Sequence, residues 1–312
     1  MQNNQKIIGI FGAGGFLGKH LMRQLTILDY RVKVATRNPH LKGYLKPLGN
    51  PGQIELFKTN IFNPEDIKQV LKNCDLVINL VGILYETKKQ KFFSIHAQFP
   101  KLLSELCNEL EINKLIHISA LGVKEGHPSQ YMQSKLQGEK NIQDAFKQSV
   151  ILRPSVIFGP EDKFFNTFAT LAQFSPALPL IGGGKTVFEP IYVGDVAEAI
   201  VKSLELNNSK PAIYELGGEN YSFKELMQIL LGEIGKKRFL MPISFGMAKF
   251  QSYFLQMMST PLLTPDQVEM LKYDNVVSGE YKTLKNLKIK PTTIQSILPK
   301  YIYRFRTGGQ FG

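Results

Sequence analysis

Through its first half the chain alternates short apolar runs with stretches whose apolar positions recur every three or four residues. Runs at Ile7–Phe11, Arg31–Ala35, Ile54–Phe57, Leu76–Val81, Leu115–Ser119 and Val150–Arg153 read as strands. Helical spacing falls at Phe16–Leu28, Pro64–Asn73, Ala97–Leu110 and Gln130–Phe146. The first helix shows it most plainly, with Leu17, Leu21, Leu25 and Leu28 on one face. Strands joined through helices demand right-handed crossovers, so the expected fold is α/β with a doubly wound parallel sheet. After about residue 155 the alternation fails, and Pro176, Pro179 and Gly182–Gly184 punctuate the chain. Ile213–Leu216 reads as a late return to the sheet, and Thr264–Pro265 as the N-cap and first turn of a helix. The expected division is a sheet domain over 1–158 and a smaller lobe over 159–312 that covers the cleft.

In such sheets a ligand lies beyond the carboxyl ends of the strands, where the strand order reverses. The residues just after each strand therefore carry the most information. After the first strand come Gly12, Gly15 and Gly18, spaced G-x-x-G-x-x-G between a strand and a helix. Gly12 can turn tightly, Gly15 admits close approach of a diphosphate, and Gly18 lets the helix pack on the strand. The helix N-terminus then offers unpaired N–H groups and partial positive charge to that anion. This strand-turn-helix context points to a dinucleotide site. After the second strand comes Thr36-Arg37-Asn38-Pro39 with no carboxylate. An acid there suits the ribose hydroxyls of NAD(H), whereas Arg37 suits a 2′-phosphate, so NADP(H) is expected over NAD(H). After the fourth strand, Gly82 lets the backbone pass beside a ribose or simply makes a turn.

Composition narrows the picture only a little. At 312 residues the chain can bury a large core. No apolar run approaches the roughly 20 residues that span a bilayer, and Met1–Gln5 leads into the first strand with no room for a secretory leader. Cys74 and Cys107 form neither a disulfide framework nor a metal spacing, so a reducing, cytoplasmic compartment and no metal are expected. Net charge is +12, with short clusters at Lys88-Lys89-Lys91 and Lys236-Lys237-Arg238. Solvated faces account for most of that charge, leaving room for an anionic membrane surface or an acidic partner. A nucleic-acid partner is not expected.

After the fifth strand come Ser119 and then Tyr131-Met-Gln-Ser-Lys135. Tyr and Lys four apart share a helix face, and the ammonium is expected to lower the phenol's pKa. Such a Tyr exchanges a proton with a carbonyl or alcohol beside a nicotinamide. Tyr85/Lys89 and Tyr281/Lys285 repeat the spacing, so position rather than motif singles out Tyr131.

Taken together, Gly12–Gly18, Asn79–Gly82, Tyr131/Lys135, Leu152–Pro160 and Pro190–Ala197 resemble the atypical and extended short-chain dehydrogenase/reductases. Arg37, the run Gly159–Ala169 and the tail Tyr301–Arg306 narrow the resemblance to the nucleotide-binding accessory subunit of respiratory complex I (alpha subcomplex subunit nine) and its bacterial relatives. That resemblance covers nearly the whole chain. It implies a tightly held NADPH, peripheral attachment at the inner face of an energy-transducing membrane, complex I subunits as partners, and no established turnover. It also implies cofactor contacts from Phe16, Leu17, Asn60, Ile61, Val81, Pro154 and Ile157, beside Gly12, Gly15, Gly18, Arg37, Gly82, Ser119, Tyr131 and Lys135. Tyr131, Lys135 and Ser119 are the expected catalytic set.

Two departures weigh against turnover. The place of the family's catalytic hydroxyl, two beyond Ser119, holds Leu121, and His96 stands where an Asn is usual. His96 is read as a satisfied structural histidine before a donor, and Asp195 as fixing the junction of lobe and sheet. Phe245–Met258 is apolar around much of a helix, which suits packing in the lobe's own core or a docking face. The expected role is an accessory or assembly factor with a structural cofactor. The rival is an NADP(H)-dependent reductase or dehydratase acting on a ketone, with a quinone precursor or other isoprenoid as its expected class.

Overall fold

The computed structural model describes residues 5–258, 260–306 and 308; Met1–Asn4, on which the absence of a leader was argued, lie outside them. Eight strands form one sheet: β1 (Ile7–Phe11), β2 (Arg31–Thr36), β3 (Ile54–Lys58), β4 (Leu76–Asn79), β5 (Lys114–Ile118), β6 (Ser149–Pro154), β11 (Ala212–Leu216) and β14 (Lys282–Thr283). Their order is β14-β11-β6-β5-β4-β1-β2-β3 and every pairing is parallel. The chain leaves β1 toward β2 on one side and resumes at β4 on the other, so the order reverses between β1 and β4. Both faces are covered, which is why the central strands β1, β4, β5 and β6 are almost wholly buried and mostly apolar.

On one face α1 (Phe16–Ile27) and α6 (Val193–Leu204) pack Leu21, Leu25, Val196 and Ile200 against Ile8 and Ile10. On the other, α2 (Pro64–Leu71), α3 (Phe99–Glu109) and α4 (Gln130–Ala145) bury Ile67, Phe99, Leu103 and Ile142 against Phe11 and Val77. Strand β4 stops two residues short of expectation because the Asn79 side chain accepts the Val81 N–H at 3.0 Å, replacing a ladder bond. Helix α2 likewise stops before Asn73, whose φ is 60°. Sequence patterning missed α6, the closing strand β14, and a 3₁₀ segment over Pro39–Leu48 that buries Leu45.

The part of the chain outside this sheet adds β7 (Ile157–Phe158), α5 (Phe164–Phe174), β8 (Ala177–Ile181), β9 (Val187–Phe188), β10 (Ile191–Tyr192), β12 (Tyr221–Ser222), α7 (Phe223–Glu233), β13 (Phe239–Ile243), α8 (Phe245–Leu255) and α9 (Pro265–Met270). Short helices α10 (Ile294–Ile297) and α11 (Pro299–Ile302) close its core over Phe165, Leu226 and Leu230. Thr264 caps α9 as its sequence suggests, in a reciprocal box with Gln267. Asp195 grips Thr292 through both its N–H (2.6 Å) and its hydroxyl (2.7 Å), tying α6 to the start of α10. Among the described residues no helix is long and apolar enough to cross a membrane. No group of three or more His, Cys, Asp or Glu among them could hold a metal.

Candidate functional site

The glycine loop sits at the reversal point. Gly12 has φ of +93°, and a Cβ there would lie 3.0 Å from the Leu80 carbonyl carbon, so β1 can turn beside β4 only with glycine. Gly18 packs so closely that a Cβ would fall 2.3 Å from the Ala13 oxygen. Gly15 differs: it is exposed, and a Cβ would meet nothing nearer than the Gly12 oxygen at 3.4 Å. The fold itself does not require glycine at 15, and the open space there is what a diphosphate would use. Phe16 and Leu17 open α1 directly behind it.

Arg37 is exposed at the end of β2, with no ion pair among the described residues. Beside the loop lies a residue that sequence reasoning missed. Lys42 drapes over Gly14, its Nζ 3.4 Å from the Gly14 carbonyl, where Tyr44 also donates at 3.1 Å. Its signal was faint: one more cation, five positions past Arg37, in a segment with no strand or helix pattern. Asn60 and Ile61 follow β3, Asn60 exposed and Ile61 half-buried against the core under β3.

At the other end of the reversal point, α4 carries Tyr131 and Lys135 toward Gly82. A Cβ on Gly82 would lie 3.4 Å from Lys135 Nζ and 3.7 Å from His96 Nε2. Lys135 Nζ donates to the Ile118 carbonyl at the end of β5 (3.0 Å), adjoining Ser119. The Ser119 hydroxyl is buried without a partner among the described residues. Pro154 ends β6 beside this cluster and Ile157 follows it on β7, while Val81, half-buried, precedes Gly82. The expected residues after β4, β5 and β6 are thus drawn to one rim, and the glycine loop to its other side.

The electrostatics depart from expectation. Lys135 is held 6.0 Å from the centre of the Tyr131 ring. Burial pushes Tyr131 up to about 12, aided by the Asp266 charge, and pushes Lys135 down to about 8. The expected lowering of the phenol's pKa by Lys135 is therefore not found. The reason is packing: Phe92 and His96 hem the Tyr131 ring edge-on at 5.7 and 5.2 Å. Phe92, Val123 and Met132, with Met270 from α9, surround it with apolar groups. Leu121, where a catalytic hydroxyl would stand, is fully buried.

His96 is structural. It lies in a single π turn over Ser94–Gln98, and its Nε2 accepts the Ile83 N–H at 3.0 Å. That places the proton on Nδ1, which donates to Ser134 (3.0 Å), whose hydroxyl in turn donates to the Tyr131 carbonyl (2.7 Å). Burial, with Lys135 and His117 nearby, drives its pKa down to about 2. The neutral ring staples the loop after β4 to α4.

The lobe grips the same helix. Asp266, near the start of α9, accepts from Ser129 Oγ (2.8 Å) and from the N–H groups of Gln130 (2.7 Å) and Tyr131 (3.2 Å). A carboxylate at a helix N-terminus satisfies orphan donors and opposes the dipole. Asn275 also reaches across, donating to the Leu121 carbonyl (2.9 Å) and accepting from Ser155 (2.7 Å). Neither residue advertised itself in the sequence, because both act 120 or more positions away. Beneath the site, Arg153 on β6 makes a bidentate pair with Glu139 on α4, fully buried. Hollows of about 540 Å³ (Leu231, Lys236–Leu240) and 340 Å³ (Arg31, Asn50–Gln53) lie away from these residues.

The open space at Gly15, the unpartnered Ser119 hydroxyl and the uncommitted Arg37 fit a dinucleotide.

A family model described as NAD dependent epimerase/dehydratase family matches residues 8–217. The chain is 31% identical to NADH dehydrogenase [ubiquinone] 1 alpha subcomplex subunit 9, mitochondrial, of Arabidopsis thaliana, over 96% of this chain and 78% of that protein. It is 27% identical to a ceramide reductase of Caulobacter vibrioides, over 62% of this chain and 60% of that one. In fold it matches a dTDP-glucose 4,6-dehydratase of Streptomyces venezuelae, solved with NAD, at a TM-score of 0.72 and 17% identity over 96% of both chains. The chain belongs to the NAD dependent epimerase/dehydratase family, within the short-chain dehydrogenase/reductase superfamily that its motifs resemble.

Proposed function

We propose that this chain binds NADP(H) in the cleft between β1 and β4 and serves as an accessory or assembly subunit of respiratory complex I. It would sit peripherally at the inner, cytoplasmic face of the membrane. The observation that carries this reading is the extent of similarity. The match to subunit 9 spans 96% of the chain, whereas the match to the ceramide reductase stops at 62%. The site supports it chemically: Leu121 leaves no hydroxyl at the catalytic place, and Tyr131 is a deeply buried phenol.

Gly12, Gly15, Gly18, Phe16 and Leu17 would hold the diphosphate side, and Arg37 with Lys42 the 2′-phosphate. Asn60, Ile61 and Val81 would flank the adenosine, and Gly82, Ser119, Lys135, Pro154 and Ile157 the nicotinamide ribose and ring. A bound nicotinamide supplies hydride chemistry; here its main contribution would be to brace the sheet against the lobe. At 100 times its dissociation constant a ligand adds about 2.7 kcal/mol to stability. The test is affinity purification from mild-detergent membranes. Co-purification of respiratory subunits is expected, and a solitary soluble protein would contradict the reading.

The Tyr131–Lys135 pair and the free Ser119 hydroxyl favour a second reading, an NADP(H)-dependent reductase or dehydratase of a ketone. Tyr131→Phe would then abolish turnover while leaving cofactor affinity nearly intact; equal turnover in the variant would exclude it.

A further inference from the structure

Helix α8 inverts the usual pattern of a surface helix. Its buried side chains are Ala248 and Ser252, while Met247, Phe250, Phe254 and, just past its end, Met257 project into solvent. Those four are spaced three, four and three apart, so they form one stripe. They are 57%, 64%, 62% and 82% exposed, which makes them protruding groups and not the lining of a groove. Tyr253 flanks the stripe, and Phe250 and Phe254 stack edge-on at 5.4 Å. Of the two expectations for this segment, packing in the lobe's own core or a docking face, only the narrow Ala248 side meets the first, against Ile181, Ile243 and Val268. The strand leading into it, β13, adds exposed Phe239 and Met241.

Charge says what covers the stripe. From Lys236 to Leu263 the chain carries Lys236, Lys237, Arg238 and Lys249, the last paired with Glu269 of α9 at 2.7 Å, and no acidic residue. Lys236, Lys237 and Arg238 line the hollow of about 540 Å³ together with apolar Leu231, Phe239 and Leu240. A cationic hollow with apolar walls, joined through β13 to a protruding apolar helix, fits an anionic headgroup above its acyl chains. Protein interfaces are by contrast depleted in lysine. With 11 residues α8 is too short to span a bilayer, so it could meet one only by lying along its surface.

We propose that α8 and the Lys236–Phe239 hollow dock this protein on an anionic phospholipid surface, with Met247, Phe250, Phe254 and Met257 immersed at the headgroup boundary. This deepens the peripheral placement proposed above and rests on it. Lysines there add long-range attraction, so binding should weaken with salt.

The test is co-sedimentation of the full chain with phosphatidylcholine vesicles, with and without phosphatidylglycerol. Binding to the anionic vesicles is expected, weakened at high salt, with little on neutral ones. Phe250→Glu/Phe254→Glu should cut partitioning at least about tenfold, since each ring otherwise transfers into an apolar phase. Both side chains are exposed, so the melting temperature should stay within about 2 °C of the parent. Lys236→Glu/Lys237→Glu should also lower binding about tenfold and flatten its salt dependence. No binding to anionic vesicles at low salt, or equal binding by the Phe double variant, overturns the proposal. So does a parent dimer that this variant splits, because a second copy would then cover the stripe. The vesicles hold no respiratory subunits, so failure here with successful co-purification of those subunits would reject the lipid surface alone.

Discussion

Exchanging glycines 15 and 18 for alanine separates what the fold needs from what a ligand needs. Gly18→Ala places a methyl carbon 2.3 Å from the Ala13 oxygen, backbone against backbone, with no flexible side chain to yield. Overpacking of that kind costs about 1–3 kcal/mol. At about 2 °C per kcal/mol, the variant should melt about 2–6 °C below the parent without any ligand. Gly15→Ala behaves oppositely. Its φ of −86° and ψ of −179° are ordinary for alanine, and the new carbon meets only the Gly12 oxygen at 3.4 Å. Reduced entropy of the unfolded chain gains about 0.4–1 kcal/mol. Alanine is a poorer N-cap than glycine by a similar amount, so the ligand-free melting temperature should barely move. The methyl group instead occupies the space a diphosphate needs. In the parent, NADPH at 100 times its dissociation constant adds about 2.7 kcal/mol, or about 5 °C. A hundredfold loss of affinity in Gly15→Ala would shrink that gain to about 0.4 kcal/mol, or about 1 °C. Thermal melts of parent and both variants, with and without NADPH, read all of this. A Gly15→Ala protein that keeps the full NADPH shift would refute the placement of the diphosphate on this loop.

Three further outcomes follow from the same geometry. Arg37→Ala should weaken NADPH by about tenfold to a hundredfold while leaving NADH unchanged, because only a 2′-phosphate uses the guanidinium; calorimetric titration of both coenzymes decides it. His96, at about 2 in the folded chain against about 6.5 unfolded, leaves the native state short of a proton below pH 6.5. Its contribution is whole above that pH and lost as pH falls, by up to about 1.4 kcal/mol per unit. Denaturant melts between pH 7 and 4 should show a shallower acid limb in His96→Gln, and an unchanged slope counts against the assignment. Glu139→Ala leaves the Arg153 guanidinium buried with Glu215 at 3.6 Å and the Tyr281 ring centre at 4.6 Å, and should cost about 3–5 kcal/mol in urea unfolding. A loss below about 1 kcal/mol would show that the pair is not doing what its burial implies.

The parallel sheet and its reversal point were legible because each strand-helix unit writes its own period. The first six strands came within two residues of their observed ends, and Thr264–Pro265 announced α9 through local capping chemistry. The glycine loop was readable for the same reason: strand, turn and helix adjoin in sequence. What escaped depended on distant contacts. Strand β14 is two residues long, and α6 follows Pro190 in a stretch where punctuation had masked the helical period. The state of Tyr131 was misread because the motif supplies Lys135 but says nothing of Phe92, His96 and Asp266, which arrive from three other parts of the chain. Helix α8 was recognised as apolar, yet composition cannot say which way a face points.

In the proposed function a dinucleotide with a 2′-phosphate occupies the Gly12–Gly18 and Arg37 end of the cleft. Purification of the full chain under native conditions, followed by denaturation and chromatographic identification of whatever nucleotide is released, tests it directly. Near-stoichiometric NADP(H), lost from both the Gly15→Ala and Arg37→Ala proteins, is the expected result. Release of NAD(H) instead, or a nucleotide-free protein whose melting temperature ignores added NADPH, would contradict it.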